Sequence, residues 1–230
     1  MRLVLFDIDG TLLLTGGVGQ GSAKASLARV FGSPGRLDEF YPTGRTIEAI
    51  FVDTVLDAGF SREDYQAKRE DLYEDFFEEF ASRLNRNEHQ IRNLPGARML
   101  VEEVSLQEDV VVGLTTGNLQ RTAMLKLAEA GFDLSLFEVG AYGNETTYRP
   151  DLVRLAHARA EALTGQNILP SQTFVIGDTA RDVNSAKVFG AVSIAVATGV
   201  TNTSEVAKSS PDHFLQNLED TGAVLDILLN

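Results

Sequence analysis

Short, continuously apolar runs alternate with helix-period stretches along most of the chain, and carboxylates sit at the ends of two of those runs. Together these features predict an α/β fold, a doubly wound parallel sheet, with a helical insert where the alternation lapses. The candidate strands are RLVLF (2–6), VVVGLT (110–115), FEVGA (137–141), TFVIG (173–177) and VSIAVA (192–197). Each is too uniformly apolar for a strand with one wet face, which fits a parallel sheet covered on both sides. Helices are expected at roughly 97–107, 119–130, 151–164, 180–189 and 221–229, and KLAEAGF and AKVFGA place a Gly just past the last periodic residue.

Between about residues 15 and 92 no strand pattern is evident. GSAKASLARVFG, TIEAIFVDTVLDAGF and REDYQAKREDLYEDFFEEFASRLNRN carry helix-period apolar positions, and NLPGA (93–97) marks the return to the sheet. The expected organisation is a core of residues 1–14 and 93–230 with a small all-helical domain at 15–92. The acid-rich third segment reads as a solvated helix face.

Composition narrows the chemistry. At 230 residues the chain can bury a substantial interior, and a net charge of -13 argues against a nucleic-acid backbone as partner. With no cysteine and three scattered histidines (His89, His157, His213), neither a thiolate nucleophile nor a Cys- or His-built metal centre is expected. Carboxylates, hydroxyls and a few cations remain. The N-terminus has no secretory pattern and no run approaches the ~20 apolar residues of a membrane span, so a soluble, cytoplasmic protein without membrane partners is expected.

LVLFDIDGTL (3–12) brings Asp7 and Asp9 to the end of the first strand. Asp-Gly between apolar runs can signal a hairpin. LVLF does not alternate, however, and the following LLLTGGVGQGSAKASLARVF turns glycine-rich and then helical, leaving no obvious antiparallel partner. The other reading sets both acids at the carboxyl end of a parallel strand, where open α/β sheets place ligands. VVVGLTTGN ends in Thr116, Gly117 and Asn118, with Thr115 as the neighbouring hydroxyl; this is a plain turn or a phosphate-holding strand end. TYRPDLVRLAHARA offers Arg149 before Pro150, a helix-start Arg or an anion ligand. TFVIGDTARDV carries Asp178 and Asp182, metal ligands or helix-cap acids. Lys187 reads as a solvated helix residue. GGVGQG (16–21) is a plausible hinge near the site, but it is followed by Ser-Ala-Lys and follows no strand directly, so it is not a nucleotide-binding loop.

In this order, and with a helical insert between the first two, these stretches resemble the four signatures of the haloacid dehalogenase superfamily, with a type 1 cap on a Rossmann-like core. The resemblance spans essentially the whole chain. It implies a Mg²⁺-dependent phosphatase acting on a small phosphorylated metabolite. Asp7 would be the nucleophile, forming an aspartyl phosphate, and Asp9 the general acid and base. Asp7, the backbone carbonyl of Asp9, Asp178 and, through water, Asp182 would hold the metal; Asp182 could instead fix the loop. All-oxygen ligation suits Mg²⁺. Thr116, Gly117, Asn118 and Arg149 would hold phosphate, although the family usually has Lys where Arg149 stands. Arg45 in PTGRT and Gly17 are the cap positions expected near substrate. Dehalogenases typically lack the second acid, so Asp9 favours phosphate esters. The chain looks most like the phosphoglycolate-phosphatase-like subgroup. A phosphomutase or phosphotransferase of the same fold, and a catalytically inactive binding protein, are the alternatives. A monomer or homodimer is expected.

Overall fold

A computed structural model describes residues 1–40, 43–86, 91–199 and 203–230. His89 and the last residue of the third helical segment lie outside them. The chain opens with β1 (Arg2–Phe6), then a two-residue strand β2 (Leu13–Leu14) and the helices α1 (Val18–Phe31), α2 (Leu37–Phe40), α3 (Ile47–Asp57) and α4 (Arg62–Asn85). It continues through β3 (Arg92–Asn93), α5 (Ala97–Ser105), β4 (Val110–Thr116), α6 (Gln120–Glu129) and β5 (Val139–Tyr142). The remainder is α7 (Pro150–Thr164), β6 (Thr173–Gly177), α8 (Ala180–Phe189), β7 (Val192–Val196), α9 (Thr203–Lys208), β8 (His213–Leu215) and α10 (Thr221–Leu229).

Six strands form one sheet in the order β5-β4-β1-β6-β7-β8, every pairing parallel. β1 is central, between β4 and β6, so no hairpin follows it. Its uniform apolarity now has a cause. Val4 and Phe6 face a core shared with Leu100, Val104, Leu127 and Leu228, while Leu3 and Leu5 face another shared with Leu152, Val153, Ala156 and Ala186. Helices thus cover both faces, α5, α6 and α10 on one and α7 and α8 on the other.

The insert has its own apolar cluster, in which Leu27, Phe51, Tyr65, Leu72 and Phe80 are essentially inaccessible. In α4 the buried residues are Tyr65, Leu72, Tyr73, Phe76 and Phe80, a narrow stripe on a helix whose other positions are largely charged.

Four expectations about elements need correction. The insert is closed by β2 and β3, whose antiparallel pairs Leu13–Asn93 and Leu14–Arg92 are too short to leave a periodic trace. GGVGQG is less a loop than a helix start: Gly17 caps α1, and Gly19 and Gly21 lie within its first turns. β5 begins at Val139 rather than 137, because Leu134–Leu136 forms a 3₁₀ turn closed by Phe137 N–H to Leu134 O at 3.3 Å. The sheet also gains β8, a half-buried edge strand of three residues.

Candidate active site

The neighbouring positions of β1 and β6 decide where the acids go. Phe6 lies opposite Ile176, and the ladder extends one bond further, Asp7 N–H to Ile176 O at 2.9 Å. Asp7 and Asp178, each just past its strand, therefore emerge at the same edge, where strand order diverges on either side of β1. Asp182 joins them from the first turn of α8. One carboxylate oxygen from each of the three lies within 4.8 Å of the others, and all three side chains are buried.

The backbone closes around Asp178. Gly10 follows Asp9 in a left-handed conformation, φ +87°, and a Cβ there would meet Asp178 Oδ2 at 2.3 Å; one on Gly199 would meet it at 1.7 Å. The Thr11 hydroxyl donates to Asp178 Oδ1 at 3.4 Å. Arg149, at the start of α7, is 8 % exposed and supplies the local positive charge. Its Nη2 is 3.2 Å from Asp7 Oδ2, its Nε donates to Asp182 Oδ1 at 3.1 Å with Nη2 on the same oxygen, and its Nη1 donates to Gly44 O at 3.0 Å. Asp182 also accepts from Thr179 N–H at 3.1 Å and Thr179 Oγ1 at 2.6 Å, so it caps α8 while anchoring Arg149.

One guanidinium does not balance three buried carboxylates. Burial first, opposed by Arg149 and reinforced by Asp182 and Asp9, pushes the Asp7 carboxyl up to about 7. Burial, then Asp182 and Asp7, push Asp178 up to about 8. An all-oxygen cluster short of positive charge fits a hard divalent cation, and among the described residues Asp7, Asp178 and Asp182 are the grouped side chains that could hold one.

Asp9 stands apart at the mouth, its side chain 39 % exposed. It accepts from Asn118 Nδ2 at 2.7 Å and from the Thr15 hydroxyl at 3.4 Å. It also accepts from Lys126 Nζ at 2.6 Å, a residue absent from the expected site. Lys126 comes from α6 and is 3 % exposed; it donates to Asn118 Oδ1 at 2.6 Å and sits 5.5 Å from the Phe80 ring centre of α4. Its trace in the sequence is faint: it falls four residues after Thr122 and one before Leu127, on the buried face of α6.

Of the two threonines ending β4, Thr116 faces the cavity and accepts from Asn118 Nδ2 at 2.7 Å, whereas the Thr115 hydroxyl has no hydrogen-bond partner among the described residues. Gly117 is covered by the insert, with Ile47 N–H donating to Gly117 O at 2.8 Å and Glu48 N–H to Gly143 O at 3.0 Å. Arg45 lines the same cavity while its guanidinium binds the Asp53 carboxylate, Phe40 O at 3.0 Å and Ala49 O at 3.3 Å. Gly17, with φ +86°, also lines it. The cavity holds about 450 Å³ between sheet edge and insert.

Solved structures of similar fold include a hydrolase from Pseudomonas syringae, with TM-score 0.74, 20 % identity and 100 % of both chains covered. A predicted phosphoglycolate phosphatase from Haemophilus somnus aligns with TM-score 0.66 and 19 % identity over 99 % of this chain and 97 % of the other. A candidate β-phosphoglucomutase from Thermotoga maritima gives TM-score 0.63 and 20 % identity over 100 % of both. At these identities the likeness is one of fold. Comparison with curated proteins gives no match. Residues 4–196 match the family of haloacid dehalogenase-like hydrolases, a span that begins in β1, ends with β7 and takes in all three clustered acids, Asp9 and Arg149. The chain belongs to the haloacid dehalogenase-like hydrolases.

Proposed function

We propose that the protein is a Mg²⁺-dependent phosphatase that hydrolyses a small phosphomonoester through a phosphorylated Asp7. The observation that carries this reading is the buried meeting of Asp7, Asp178 and Asp182 beside Arg149, with Asp9 two residues away at the open mouth. Mg²⁺, which Asp7, Asp178, Asp182 and the backbone carbonyl of Asp9 would hold, would supply charge neutralisation for a bound phosphate dianion.

An Asp7 carboxylate oxygen attacks phosphorus as the phosphorus–oxygen bond to the leaving alcohol breaks, and Asp9, carrying a proton at this step, passes it to the departing alkoxide oxygen and becomes the carboxylate. Asp9 then takes a proton from water as the water oxygen attacks phosphorus, the Asp7–phosphorus bond breaks and inorganic phosphate leaves. Arg149 orients Asp7 through their 3.2 Å contact and offsets charge on the transferring group. Thr116, Gly117 and Asn118 close the phosphate end from β4. Lys126 and Asn118 together position the Asp9 carboxylate.

Transfer to a sugar instead of water would call for donors that fix a second hydroxylated substrate. The cavity lining away from the clustered acids includes Leu14, Ile47, Ile50, Phe76 and Leu119 beside a few polar side chains such as Thr15 and Gln20, and this largely apolar composition favours hydrolysis. The test is release of p-nitrophenol from p-nitrophenyl phosphate: activity with Mg²⁺, none with EDTA, and loss of at least about a thousandfold in Asp7→Asn with circular dichroism unchanged. Wild-type turnover in Asp7→Asn would overturn the nucleophile.

A further inference from the structure

From the composition of the cavity wall we infer that the leaving group is an apolar alcohol, alkyl or aryl, and not the carboxylate-bearing two-carbon acid of phosphoglycolate; this rests on the phosphatase reading above.

The cavity has two unlike ends. Asp7, Thr116, Arg149 and Asp178 mark the phosphate end. The lining also takes in Ile47 and Ile50 from α3, Phe76 from α4, and Leu14 and Leu119, with Thr15, Gln20, Thr43 and Arg45 as polar side chains among them. Ile47, Ile50, Phe76 and Leu119 are each at most 5 % exposed and belong to the insert's apolar cluster, so only their edges reach the cavity. At about 450 Å³ the space lies within the range of roughly 300–1,000 Å³ of small-molecule sites and exceeds what a phosphate bearing two carbons fills.

The cations that line the cavity are already paired. Arg149 is held by Asp7 and Asp182, Arg45 by Asp53 and Lys126 by Asp9. A substrate carboxylate entering here would lose water without gaining an uncommitted cation, or would have to draw Lys126 away from Asp9, and either is costly in a desolvated site. Gln20, a polar side chain of the lining, donates to Asp38 at 3.1 Å. An alkyl or aryl group meets the opposite situation, since each methylene placed against this wall leaves water at no polar cost.

The test compares kcat/KM of the Mg²⁺-loaded protein on ethyl, n-propyl and n-butyl phosphate, 2-phenylethyl phosphate, 2-phosphoglycolate and glucose 6-phosphate. The primary alkyl series keeps leaving-group reactivity nearly constant. The expected result is a rise of roughly fourfold per methylene, with 2-phosphoglycolate and glucose 6-phosphate at least about tenfold below n-butyl phosphate. In Ile50→Thr, which keeps the branch at Cβ and adds a hydroxyl, the rise per methylene should shrink. If the variant does not fold, the wild-type series decides alone. Turnover of 2-phosphoglycolate or glucose 6-phosphate equal to or above that of n-butyl phosphate overturns this inference and leaves the phosphatase reading standing. Hydrolysis of none of the esters, p-nitrophenyl phosphate included, overturns both.

Discussion

Asp7 and Asp9 are two residues apart, yet they occupy different electrostatic worlds. Asp7 is buried against Arg149 and two further acids, while Asp9 is partly exposed and gripped by Lys126, Asn118 and Thr15. That division suits a nucleophile beside a cation and a proton carrier beside the leaving group. Lys126 then matters through Asp9. Lys126→Met keeps the aliphatic stem but removes the ammonium, so the Asp9 carboxylate keeps Asn118 and the weaker Thr15 contact. Steady-state kinetics on p-nitrophenyl phosphate should show kcat lower by on the order of tenfold or more and KM changed by less than about threefold. Unchanged kcat would mean that the ion pair only fills space. At this scale the acids were legible, because D-x-D-G-T and the later GDTARD both follow apolar strands. Lys126 was not, since its inward aim depends on how α6 lies against the insert's Phe80, a contact between residues far apart in the chain.

Among elements, the main strands could be read because burial on both faces makes them apolar at every position. β2, β3 and β8 could not, since strands of two or three residues, partly exposed, impose no periodicity. Docking of the insert was equally hidden. The start of α3 sits on the loops after β4 and β5 through Ile47 N–H to Gly117 O and Glu48 N–H to Gly143 O, and Arg69 of α4 donates to Asn144 O at 2.6 Å. Glu48 fastens that contact, accepting from Tyr65 OH at 2.7 Å and from Arg69 Nε at 3.1 Å. Gly117 is where this approach is tightest: a Cβ there would stand 2.0 Å from Arg45 O and 3.1 Å from Arg149 Nη1. Gly117→Ala should push the insert off the sheet edge and lower kcat/KM on p-nitrophenyl phosphate by on the order of tenfold or more, with the far-ultraviolet circular dichroism intact. Wild-type kinetics in that variant would show that the docked arrangement is not needed for turnover.

The whole molecule carries an unbalanced charge at its centre, and its stability should report it. Asp7 and Asp178 titrate near 7 and 8 in the folded, metal-free protein but near the ordinary carboxylate value when unfolded. Between those values the folded state holds more protons than the unfolded state, so folding stability falls as pH rises from about 5 to 8. The carboxylates with lowered values, such as Asp57, Asp75 and Glu79, act oppositely but only below about pH 5. Among the described residues no helix is long and apolar enough to cross a membrane. The most direct test of a cation-centred carboxylate site is therefore Tm measured from pH 5 to 8 with EDTA and with saturating Mg²⁺. Without metal, Tm should fall by on the order of 5 °C across that range, and Mg²⁺ should raise it most at pH 8 and flatten the slope. A metal-free Tm that is level from pH 5 to 8 and indifferent to Mg²⁺ would contradict it.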